Sequence, residues 1–224
     1  MKRILFAIGI LLSTSSYCQN CLGYYLLQNN RTIDNTIYNK NGEVYGKQVY
    51  SVSGVSSAGN ITTANIKLQM FDSKGKMMAN STNNVKCKGG VIMMNMKMMM
   101  AQEQQFADAA NAKGESAFIE YPSAMKVGDN LKNATFAMDM NRGGMQQHVS
   151  VKITNRKVEG KQKITTPAGS WDCFKISYKG KIVVNAMGME IPLDLNGTEW
   201  FSAGFGIIKT KSNLGGTEIT RIGK

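Results

Sequence analysis

The sequence predicts a mainly β protein, a single antiparallel sheet in one exported domain with one helical segment. Three observations predict it. Turn signals recur at short intervals, among them Asn41-Gly42, Lys74-Gly75, Gly89-Gly90, Glu159-Gly160 and Gly215-Gly216. Between them lie runs rich in Val, Ile, Thr and Tyr that alternate apolar with polar, the pattern of strands joined by hairpins. The chain also opens with MKRILFAIGILLSTSSYCQN, which reads as a secretion leader.

In that leader Lys2 and Arg3 form a basic start, and residues 4–12 an apolar run too short to span a bilayer. Ser16 and Cys18 supply small residues at −3 and −1 of a cut after Cys18. The reading is therefore a signal peptide over 1–18 and one domain over 19–224, periplasmic or secreted, with outer-membrane association as a further option. A buried N-terminal element is the bland alternative. A lipoprotein cut before Cys18 is another, against which the bulky Tyr17 stands. No later apolar run approaches membrane-spanning length, so the mature chain carries no transmembrane segment in this reading. A chain of 224 residues is long enough for one sizeable core.

The elements follow in chain order. Tyr38-Asn39-Lys40-Asn41-Gly42-Glu43 and Phe71-Asp72-Ser73-Lys74-Gly75-Lys76 form a weak internal repeat and predict two hairpin turns with Gly at a positive φ. Residues 91–100, VIMMNMKMMM, read as a half-buried strand. Ile92, Met94, Met96, Met98 and Met100 share one face, and the other carries Asn95 and Lys97. A helix is the alternative there, because Met94 and Met98 are four apart. Residues 99–113 predict the helix, with Met99, Phe106 and Ala110 on one face against the sheet and Gly114 as the stop. Met138 and Met140 alternate on one strand, and Val183, Met187, Met189 and Ile191 share a face on another.

The chain has sixteen methionines, and six of them lie within residues 91–100. Met is an adaptable core filler. It also lines surfaces that accept varied apolar shapes. Met94, Met96, Met98, Met138, Met140, Met187 and Met189 are thus the candidate lining of an interior site for an acyl chain or other apolar ligand. Copper(I) bound by thioethers is a third option. It is weakened by a lone, distant His148 and by Cys87 lying beyond the Gly89-Gly90 turn.

Removing Cys18 with the leader leaves Cys21, Cys87 and Cys173. An oxidising compartment favours one disulfide and one thiol, with all three pairings open, and three buried thiols are the alternative. No CxxC spacing supports zinc. The formal charge of +12 favours anionic partners. The lysines are scattered, the densest group being Arg156-Lys157 with Lys161 and Lys163, and no aromatic-interleaved basic motif accompanies them. Nucleic acid is thus not expected; a solvated basic surface facing an anionic envelope is. His148 has no flanking nucleophile motif, the fifteen acidic residues form no DxD or ExxE pair, and no phosphate loop is present. The expectation is a non-enzymatic envelope protein that binds or carries an apolar or lipidic ligand in its interior, with a structural or interaction protein of filled core as the alternative, and without cofactor or metal.

Two later stretches carry a family likeness. They are Thr165-Thr166-Pro167-Ala168-Gly169-Ser170-Trp171-Asp172-Cys173-Phe174-Lys175-Ile176 and Glu199-Trp200-Phe201-Ser202-Ala203-Gly204-Phe205-Gly206. Together with the two hairpin turns and Tyr121-Pro122, they resemble a family of small exported bacterial proteins called TapB-like, over nearly all of the mature chain. That family is similar in turn to the lipoprotein-carrier half-barrels. The resemblance implies a curved antiparallel sheet of about ten or eleven strands, helices covering the concave side, and acyl chains held there in the wider group. It implies no catalytic residue. It also places a tight turn at Pro167-Ala168-Gly169, bending at Gly204 and Gly206, and Cys87 as half of a disulfide.

Overall fold

The computed structural model describes residues 21–100, 117–142 and 144–224. The leader cut therefore lies outside the described residues, as does most of the predicted 99–113 helix. Two short 3-10 turns, Cys21–Gly23 and Tyr25–Leu27, precede thirteen strands. These are β1 (Thr32–Asn39), β2 (Val44–Ala58), β3 (Ile61–Asp72), β4 (Met77–Lys88), β5 (Val91–Asn95), β6 (Phe118–Pro122), β7 (Ala134–Arg142), β8 (Met145–Thr166), β9 (Gly169–Ala186), β10 (Met189–Asp194), β11 (Gly197–Ser202), β12 (Gly206–Ser212) and β13 (Gly215–Gly223). One helical turn, α1 (Met96–Met100), follows β5.

All thirteen strands belong to one sheet, in the order β6-β5-β4-β3-β2-β1-β13-β12-β11-β9-β8-β7, with β10 added on β9. It is two meanders, β1 to β6 and β7 to β13, joined where the first strand pairs with the last. Register shifts in β1, β2, β8 and β11 tighten the twist and curl the sheet into a nearly closed barrel, further round than a half-barrel. The expected single curved antiparallel sheet is correct.

The barrel has two distinct ends. At one, which we call proximal, the N-terminal turns fold over the opening: Tyr25 stacks on Phe205 at 4.8 Å and Leu26 and Leu27 are buried. A Cys21–Cys87 disulfide ties these turns to β4 and leaves Cys173 as a free, buried thiol. At the other, distal end lie the two matched turns. In each, a side-chain oxygen at the strand end accepts two backbone N–H groups, Asn39 from Asn41 and Glu43, Asp72 from Lys74 and Lys76. The glycines sit at φ 82° and 81°, as the repeat predicted.

The methionine strand needs correction. It ends at Asn95, and Met96–Met100 is helical. Asn95 causes the switch, because its side-chain oxygen accepts the Lys97 N–H at 2.9 Å, as a helix N-cap does. Met is a good helix former, and both conformations bury the even-numbered methionines.

Candidate functional site

The barrel interior collects one continuous core. Of the candidate lining, Met94, Met96, Met98, Met138 and Met140 are buried there, joined by Leu68, Met70 and Met100. Met187 and Met189 are not. The face predicted for Val183, Met187, Met189 and Ile191 fails because β9 runs on beyond its pairing with β11 and carries β10 outward with it. There β10 has only β9 as neighbour, so its side chains meet solvent. Met187 is in the turn itself, at φ 53°.

Across this apolar interior runs a polar belt that the sequence reading missed. Thr217, Thr210 and Glu199 are successive cross-strand partners on β13, β12 and β11, and all three point inward. The Thr210 and Thr217 hydroxyls lie 3.0 Å apart. Tyr121 of β6 donates its hydroxyl to Glu199 Oε2 at 2.9 Å and stacks on Phe201 at 4.8 Å. Arg156 of β8 completes the group, its guanidinium 4.7 Å from the centre of the Tyr121 ring and its Nη2 3.9 Å from Glu199 Oε2.

Arg156 also closes the barrel. The sheet's two ends, β6 and β7, are not hydrogen-bonded to one another as strands. Arg156 Nη1 donates to the Glu120 carbonyl of β6 and to the Lys132 carbonyl, both at 3.0 Å. Lys132 Nζ reaches back to Glu120 Oε1 at 2.9 Å, and Leu131 N–H bonds the Arg156 carbonyl at 2.7 Å. The seam is therefore latched mainly by side chains.

The electrostatics follow from burial. Desolvation pushes the Glu199 carboxyl above its ordinary 4.5, while Arg156 and the Tyr121 hydroxyl pull it back. Desolvation, then the charge of Glu199, hold the Tyr121 phenol well above its ordinary 10.0, so it stays a donor. The Cys173 thiol is pushed up to about 12, by burial first and Asp172 second, and is therefore a poor nucleophile.

His148 is exposed on β8, its Nδ1 2.8 Å from Asp139 Oδ1. It borders an open groove of about 580 Å³ along β7 to β9 with Ser150, Lys152 and Lys181. Within the interior, the space beside Glu199 is about 40 Å³, bounded by Met96, Met99, Met100, Ile119 and Tyr178. A second void, beneath the N-terminal turns, is about 10 Å³. Room for a few waters is far below the ~300 Å³ at which ligand pockets begin. Among the described residues no cluster of His, Cys, Asp and Glu is arranged to hold a metal.

The DUF3108-like family matches residues 28–216, from the N-terminal turns to the start of β13. The chain belongs to the DUF3108-like family. Two solved structures share the fold of this DUF3108-like chain. A protein from Bacteroides fragilis, described as exported and YmcC-like in fold, is 20% identical with a TM-score of 0.70, covering 88% of this chain and 97% of its own. A protein from Parabacteroides distasonis, described as a lipoprotein, is 18% identical with a TM-score of 0.74, covering 88% of this chain and 96% of its own. No curated protein matches.

Proposed function

We propose that the chain is a non-enzymatic envelope protein, a stapled β scaffold with a filled interior that acts through its outer surface. The observation that carries this is the packing of the methionine wall, with about 40 Å³ left beside it. The Cys21–Cys87 disulfide fits an oxidising compartment. The two solved neighbours, described as exported and as a lipoprotein, support the same location. The inert Cys173 and the lone exposed His148 support a role without catalysis.

A second reading, carriage of an apolar ligand inside, is favoured by one observation, the seam. Its margins carry Ile119 of β6 on one side and Met138 and Met140 of β7 on the other, all buried, and its closure depends mainly on side chains. Swinging β6 from β7 opens the interior on that wall. The TapB-like motifs and their likeness to lipoprotein carriers belong to this reading.

Native mass spectrometry of the protein exported from a bacterial host decides between them. A bare polypeptide mass, unchanged after incubation with envelope lipid extract and with copper(I), is the expected result. A retained adduct of lipid mass overturns the filled scaffold in favour of the carrier, and a copper adduct overturns it in favour of the thioether site.

A further inference from the structure

Four large apolar side chains crowd the tip of the distal arm formed by β7 to β10. Met187 is 79% exposed, Met189 64%, Ile191 49% and Met145 47%. The register places them together. Gln147 pairs with Ala186, which pairs with Met189, so Met145 emerges beside the Met187-Gly188 turn. Val44 and Met77 are exposed at the same end of the barrel, each just after one of the two matched turns.

Ordinary turn chemistry does not account for this. Both central residues of the β9–β10 turn have positive φ, 53° at Met187 and 78° at Gly188, a geometry that prefers Asn-Gly. The chain instead holds a long apolar side chain there, in a strained conformation and in water. A strand-adding partner does not suit the site either. Pro192 interrupts the donors of β10 and Glu190 adds a charge, two devices that blunt a sheet edge. The distal turns carry the exposed Lys40, Lys74 and Lys76, none with an ion-pair partner among the described residues, on a chain whose formal charge is +12. Flexible thioethers at the arm's tip, with unpaired lysines on the other turns of the same end, match an anionic lipid surface, with apolar tips in the interfacial layer and cations facing the phosphates.

We propose that the distal arm is a membrane-docking tip that seats Met145, Met187, Met189 and Ile191 in the interfacial layer of an anionic phospholipid bilayer. This goes beyond the scaffold reading and holds whether or not the interior takes a ligand.

The test is co-sedimentation of the exported protein with phosphatidylethanolamine vesicles containing phosphatidylglycerol, and with phosphatidylcholine vesicles. Binding to the anionic vesicles alone is expected, weakened by salt. The triple variant Met187→Asn, Met189→Thr, Ile191→Thr is expected to lower vesicle affinity about tenfold or more. Lys74→Gln with Lys76→Gln is expected to lower it as well and to flatten its salt dependence. Lys88→Gln with Lys163→Gln, away from the distal turns, is the control and is expected to bind as the parent does. All variants change exposed residues, and their unfolding midpoints verify folding. Absence of parent binding overturns the proposal, and so does equal loss in the control. Self-association abolished by the triple variant without vesicle binding overturns it as well, assigning the tip to a second copy of the chain.

Discussion

Arg156 reads as a surface residue in the sequence, one of a basic cluster, and is fully buried in the structure. The difference comes from one neighbour. Along β8, Val149, Val151 and Ile153 point inward, and so do Arg156 and Val158, on the opposite parity. Asn155, at φ 51° beside the register shift between Thr154 and Lys157, inserts the extra residue that flips the alternation. Asn tolerates that conformation, but its presence alone does not announce a bulge. Glu199 was more legible, since it shares its parity with the apolar Phe201. Removing the guanidinium leaves Glu199 as an unpaired buried charge. Arg156→Met is therefore expected to lower stability by about 3–5 kcal/mol in urea unfolding. Glu199→Gln tests the other partner through pH. The Glu199 carboxyl is raised on folding, so between its unfolded and folded pKa the native state holds a proton that the unfolded state has lost. This residue's contribution therefore falls as pH rises through that window, starting near the ordinary 4.5. Unfolding free energies at acid and neutral pH are expected to show that decline in the parent and to lose it in the Gln variant.

Among the elements, the hairpins were legible because their turns carry their own chemistry. Asn39 and Asp72 close them with side-chain bonds, and a glycine supplies the positive φ. The β8–β9 turn at Pro167-Ala168 lies where the family motif put it. The end of β5 was not legible, because an even-numbered methionine row suits a strand and a helical turn alike and only the cap at Asn95 decides. Nor was the face of β10, since alternation reports which residues share a side and not whether anything covers it. Met187 gives this element its own prediction. Asn accepts the left-handed region more readily than Met, so Met187→Asn is expected to stabilise the protein by about 1 kcal/mol in thermal or urea unfolding. A loss of stability would mean that Met187 packs on the arm.

For the whole molecule, the Cys21–Cys87 bond closes a 66-residue separation and fastens the N-terminal turns over the proximal opening. Replacing both cysteines by serine is expected to cost roughly 2–4 kcal/mol in urea unfolding at fixed pH. The near-closed barrel follows from strand number and bulges, neither of which can be counted from turn signals alone. The pairing of β1 with β13 has a further consequence for a chain synthesised amino end first. Its leading strand keeps one side without its mate until β13 has emerged. Completion of the sheet is thereby deferred until both meanders have been made, so the same topology that joins the finished barrel leaves the growing polypeptide open until its second half exists.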